Sequence, residues 1–132
     1  MFGTQGYAKA SSRYAAVDAG SKVEGATPHQ LVKILFDELM LSMEAAALAM
    51  RGDDNRMARD KQTRALTLLH ALESSLDFEK GGDVAISLAI IYREVRRRLL
   101  AAVPENDSDK ALAAHAIIAD IASAWGQIAD RI

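Results

Sequence analysis

Apolar positions recur three and four residues apart over four long stretches of this chain, the period of an α-helix with one buried stripe. The first stretch opens with Thr27-Pro28-His29-Gln30, an N-cap threonine with a glutamine three residues on and a proline at the first helical position. Its seam runs Val32, Phe36, Leu39, Met43, Ala46 and Met50, and Arg51-Gly52 closes it with a cation and a C-cap glycine. Asp53 or Asp54 caps a second helix that reaches about Leu76, with seam Ala58, Ala65, Leu69, Leu72 and Leu76 and one polar interruption at Lys61. Residues 77–82 read as a turn. Asp83 then caps a third helix carrying Leu88, Ile91, Val95 and Leu99, which stops before Pro104. After a turn at 105–108, the last helix repeats Ala111, Ala114, Ile118, Ile121, Trp125, Ile128 and Ile132 without a break. Three short connections between four helices of similar length imply antiparallel neighbours. The expected fold is all-α, an antiparallel up-down four-helix bundle over residues 27–132.

Residues 1–26 lack such a seam. They are rich in Gly, Ser, Ala and Lys, and Tyr7, Ala10, Tyr14 and Val17 share a helical spacing that Gly20 and Gly25 would interrupt. This segment is expected to be a mobile arm or short helix that docks through Tyr7 and Tyr14.

Composition narrows the chemistry. Half the residues are apolar, enough for one continuous core. The absence of cysteine removes disulfides, thiolate catalysis and Cys-based zinc sites, and fits the cytosol. No apolar run approaches the ~20 residues of a membrane span, and the N-terminus lacks the apolar core of a secretory signal, so no membrane insertion is expected. Di-metal bundles use Glu-x-x-His pairs, whereas Thr67 and Leu112 stand three residues before His70 and His115. His29 falls in a helix cap, and all three histidines read as surface residues. Neither a metal nor another cofactor is expected, and the chain does not read as an enzyme.

Two clusters could carry other functions. Arg93, Arg96, Arg97 and Arg98 form one basic patch, and Arg51, Arg56, Arg59, Lys61 and Arg64 another. Against a nucleic-acid reading stand 18 acidic residues and a net charge of −2. His70-Ala71-Leu72-Glu73-Ser74-Ser75 is similar to the phosphoacceptor helix of histidine phosphotransfer domains, which makes a phosphorelay carrier acting through His70 the alternative function. Those domains place a lysine and a glycine where this chain has Glu73 and Ser74, and a carboxylate one turn from a phosphohistidine repels it.

The first helix also carries a second apolar stripe. Ile34, Leu41 and Leu48 recur every seven residues, about 180° from the core seam. Lys33, Asp37 and Glu44 flank it on one side, Glu38 and Ser42 on the other. A bundle helix is ordinarily polar on its back. Either the stripe meets a partner, the N-terminal arm or another subunit, or this helix is central and buried on both sides.

Taken together, these segments resemble the flagellin-specific export chaperone family FliS along nearly the whole chain. Tyr7 and Tyr14 match that family's tyrosine-bearing arm. Thr27-Pro28-His29-Gln30-Leu31 and Leu35-Phe36-Asp37 resemble its first long helix, with Phe36 in place of a tyrosine. Leu76-Asp77-Phe78-Glu79-Lys80-Gly81-Gly82-Asp83-Val84-Ala85 resembles its Leu-Asp-x-Glu-x-Gly-Gly-x-Ile-Ala turn. Leu88, Tyr92, Arg98-Leu99 and Trp125 match further positions, while Ala89 replaces a second tyrosine, so contacts from these two hydroxyls do not carry over. The resemblance implies a cytosolic chaperone that binds the C-terminal segment of flagellin, prevents premature polymerisation, and presents it to the flagellar type III export gate. It also implies helix-in-groove recognition, with an arm that covers part of the groove when empty. The expected partner-binding residues are Tyr7, Tyr14, Ile34, Leu41, Leu48, Leu88 and Tyr92, on a monomer or weak homodimer.

Overall fold

The computed structural model describes residues 25–129, folded into four helices: α1 (Pro28–Arg51), α2 (Asn55–Ser74), α3 (Phe78–Ala102) and α4 (Ser108–Ala129). Among the described residues there is no strand. Each helix packs against the next, and α1 closes the ring by packing against α4. With three short connections this is the up-down bundle, in which α1 and α3 stand diagonally opposite.

The helix ends follow from local chemistry. Thr27 Oγ1 accepts the Gln30 N–H at 3.1 Å, and Gln30 Oε1 accepts the Thr27 N–H at 2.9 Å, which satisfies two otherwise orphaned donors. Asp54, rather than Asp53, caps α2 by accepting the Met57 N–H at 3.0 Å.

Three end details differ from the sequence expectation. Gly52 keeps a right-handed φ of −89°, and the left-handed position falls one residue later, on Asp53 (φ 57°). The Asp53 and Asp54 N–H groups then reach back to the Met50 and Ala49 carbonyls, as in a Schellman motif. Residues 78–81 are not open turn. They form one helical turn capped by Asp77, whose Oδ1 accepts the Glu79 and Lys80 N–H groups at 3.0 Å each. The break comes at Gly82 (φ 50°, ψ −127°), a conformation open essentially to glycine alone.

The core is built from the predicted seams. Phe36, Leu39 and Met43 of α1 meet Leu68, Leu69 and Leu72 of α2, Val95 and Leu99 of α3, and Ile118 of α4, all essentially solvent-free. Toward the 52–54 and 103–107 loops the core changes to Ala46, Ala47, Ala49, Met50, Ala58, Ala102 and Ala111. Small side chains there let the helices approach closely.

Ion pairs tie neighbouring helices around this core. Arg64 of α2 meets Glu38 of α1 at 3.4 Å, and Arg96 of α3 engages Glu73 of α2 through both guanidinium nitrogens. His115 Nε2 of α4 donates to Glu44 of α1 at 2.7 Å.

Candidate partner-binding surface

The back of α1 departs from an ordinary solvated helix. Leu41 is 58% exposed and Leu48 is 72% exposed, and Ile34, one heptad earlier, is half-buried. Being buried on both sides is therefore ruled out for Leu41 and Leu48. The stripe is about 21 Å long at 1.5 Å per residue. Its edge is predominantly acidic: Asp37, held by Lys33 at 2.8 Å, and Glu44, held by His115, alternate with the two leucines.

A stack of rings fastens the start of α1. The His29 and Trp125 rings lie 4.3 Å apart and nearly parallel, at 7°. Trp125 Nε1 donates to the His29 carbonyl at 3.0 Å, and His29 Nε2 donates to the Trp125 carbonyl at 3.0 Å. This reciprocal clamp fastens the first turn of α1 to the last turns of α4, next to the point where residues 1–24 join. It corrects the reading of His29 as a simple surface residue. The signal available in the sequence was weak, a histidine at the third cap position and a tryptophan 96 residues later.

Two of the expected partner residues are placed elsewhere. Tyr92 is only 2% exposed and belongs to the core, and burial, with the nearby Glu73 carboxylate, pushes its phenol pKa well above the ordinary value. Leu88 is half-buried and packs against the same core. Both lie on the inner side of α3, because the offset from Leu88 to Val95 and Leu99 is the core seam itself. As a surface contact Tyr92 is corrected, whereas Leu88, half-buried like Ile34, keeps part of its side chain at the surface. Tyr7 and Tyr14 lie outside the described residues.

The outer line of α3 was missed. Ile86 (50% exposed), Ile90 (59%) and Leu100 (49%) fall on one line with Arg93 and Arg97 between them. With Ile86 at 0°, Ile90 falls at about +40° and Leu100 at about −40°, so the three lie within an arc of about 80° at 100° per residue. That spacing was readable, but the arginine run drew attention to charge instead.

The remaining candidates are scattered. Arg96 is engaged by Glu73, and Arg97 and Arg98 by Glu94, whose carboxyl is lowered to about 2 by hydrogen bonds from those two arginines. His70 is exposed on α2, 3.5 Å from Ser74 Oγ. Among the described residues no cluster of His, Asp or Glu is arranged to hold a metal, and no helix is long and apolar enough to cross a membrane. The exposed large apolar side chains include two lines, Leu41 and Leu48 on the outer face of α1 and Ile86, Ile90 and Leu100 on the outer face of α3.

Comparison with known proteins gives a consistent picture. The family model described as flagellar protein FliS matches residues 10–132. The chain is 34% identical over 119 residues to the flagellar secretion chaperone FliS of Salmonella typhimurium, covering 89% of this chain and 88% of the relative. It is 30% identical over 119 residues to the protein of the same name from Escherichia coli, with the same coverage. The Vibrio cholerae chaperone is 29% identical over 115 residues, covering 87% and 85%.

Proposed function

The chain belongs to the FliS family, a chaperone family and not an enzyme family, and from that premise we propose that it captures the C-terminal segment of flagellin along the outer face of α1. The observation that carries the reading is the pair of exposed leucines, Leu41 and Leu48, on a helix whose inner face already fills the core. Ile34 extends the same line toward the arm. Covering a large aliphatic side chain contributes ~1.5–3 kcal/mol when burial is complete, scaled here by the exposed fraction. Part of that gain offsets the entropy of ordering a client segment that is unfolded before capture.

An amphipathic client helix laid on this line meets Asp37 and Glu44 at its edge, which favours lysine or arginine beside its apolar stripe. Capture withholds the segment from subunit–subunit assembly in the cytosol. The complex is then presented to the flagellar type III export gate. Residues 1–26, with Tyr7 and Tyr14, join the bundle beside the His29–Trp125 clamp and act as a competing cover for the groove.

The test is seeded filament growth. Monomeric flagellin with an equimolar amount of the chaperone should fail to extend filament seeds, whereas a Leu41→Lys/Leu48→Lys variant should let growth proceed. Lysine is chosen because Asp37 and Glu44 lie four before and three after position 41, so the helix tolerates it. Unhindered growth in the presence of the wild-type chaperone would overturn the proposal.

A further inference from the structure

We propose that the outer face of α3 is a second docking site, for an acidic amphipathic helix of a partner protein. The face is defined by Ile86, Ile90 and Leu100, each at least about half exposed, with Arg93 and Arg97 on the line between them. It spans about 21 Å, or four turns of helix. Because α3 stands diagonally across the bundle from α1, one straight client helix cannot cover both faces.

Charge selects the occupant. Between Ile86 and Leu100, Arg93, Arg97 and Arg98 stand with one carboxylate of their own helix, Glu94, which already bonds Arg97 and Arg98, and the exposed Asp83 lies about one turn before Ile86. Arg96 is turned away, engaged by Glu73 of α2. The α1 line has the opposite character, with Asp37 and Glu44 along its edge. A segment suited to one face is thus mismatched on the other.

The chain's own candidates fail on the same ground. A two-fold antiparallel pairing of α3 with its copy centres on Arg93, setting Arg93 against itself and Ile90 against Arg96. Residues 1–24 carry three cations (Lys9, Arg13, Lys22) against two carboxylates (Asp18, Glu24), so they do not complement the arginines. The three aliphatics favour a protein helix over nucleic acid, which would pair with the arginines and leave Ile86, Ile90 and Leu100 without partners. What fits is a helix with apolar residues spaced like those three and glutamate or aspartate opposite Arg93 and Arg97.

The test uses a fluorescein-labelled synthetic helix, made in both chain directions, with leucines spaced like Ile86, Ile90 and Leu100 and glutamates spaced like Arg93 and Arg97. Anisotropy titration with the full chain should saturate, and a lysine-for-glutamate version should bind at least about tenfold more weakly. Ile90→Asp and Arg93→Glu should each weaken the glutamate probe by a similar factor, with Arg93→Lys retaining most binding and Leu41→Lys all of it. Melting by circular dichroism checks that each variant is folded, as expected for exposed positions. Absence of saturation, equal binding of the lysine probe, indifference to Ile90→Asp, or sensitivity to Leu41→Lys would each refute the site. Tighter binding of a single-stranded DNA oligonucleotide, lost with Arg93→Glu but not with Ile90→Asp, would make it a nucleic-acid surface instead.

Discussion

Replacing Trp125 with alanine removes the clamp between the two ends of the bundle's chain, and its cost can be worked out contact by contact. A fully buried tryptophan costs ~3–5 kcal/mol on truncation. Trp125 is only partly buried, so about half of that, roughly 2 kcal/mol, is the packing loss. The stacked His29 ring at 4.3 Å and the edge contact with Phe36 at 6.4 Å add about 0.5–1 kcal/mol beyond area. Loss of the Nε1–H bond to the His29 carbonyl adds about 0.5–1 kcal/mol, since that carbonyl can turn to water. The sum is about 3–4 kcal/mol. Urea unfolding followed by circular dichroism should show it as a lower midpoint at unchanged slope. Trp125→Phe keeps much of the ring and should cost only ~1 kcal/mol. The chain has one tryptophan, so its fluorescence in the wild type reports the clamp alone. A Trp125→Ala midpoint corresponding to less than about 0.5 kcal/mol would show that the stack contributes nothing and that the α1–α4 seam is held by Glu44–His115 and the core.

Other substitutions test the remaining structure. Gly82→Ala forces a side chain into φ 50°, ψ −127° and should destabilise by more than ~1 kcal/mol in thermal melts, even though its Cβ would meet nothing within 4 Å. Asp53→Gly relieves a left-handed residue at the end of α1 and should stabilise by about 0.5–1 kcal/mol in the same assay, less a small loss from the Asn106 hydrogen bond at 3.3 Å. Glu94 has a depressed folded-state pKa of about 2, so its pairing contributes above the ordinary value of 4.5 and is lost as pH falls toward 2. The melting-temperature gap between wild type and Glu94→Gln should therefore shrink over that window.

Periodicity made the bundle legible, because seams of three and four residues encode burial directly. Phe36, Leu39, Met43, Leu69, Leu72, Val95, Leu99 and Ile118 all lie where the spacing placed them. Ends were less legible, since a cap depends on one dihedral angle. Gly52 looked like the left-handed residue, but the Schellman hydrogen bonds required that conformation at Asp53. Asp83 reads as the cap of α3, but Asp77 accepts the Glu79 and Lys80 N–H groups and opens the helix six residues earlier, with the break at Gly82 between them. The candidate surface was half readable. Leu41 and Leu48 stood out because they contradict the polar back of a bundle helix. Only the family resemblance points to Tyr92 as a partner residue, whereas its neighbours at i+3 and i+7, Val95 and Leu99, put it inside. The His29–Trp125 pair joins residues 96 apart in the chain and needs the fold itself to be seen.

The central claim, that the back of α1 holds the client, is tested most directly by isothermal titration of a C-terminal flagellin fragment into the wild-type chain and the Leu41→Lys/Leu48→Lys variant. Circular dichroism should first show both to be equally helical, with melting temperatures nearly alike. Two desolvated ammonium groups in the path of an apolar helix cost far more than the contacts they replace, so the variant's affinity should fall by at least about tenfold. A heat-capacity change markedly less negative than the wild type's should accompany the loss. A folded variant that binds the fragment with wild-type affinity would contradict the account.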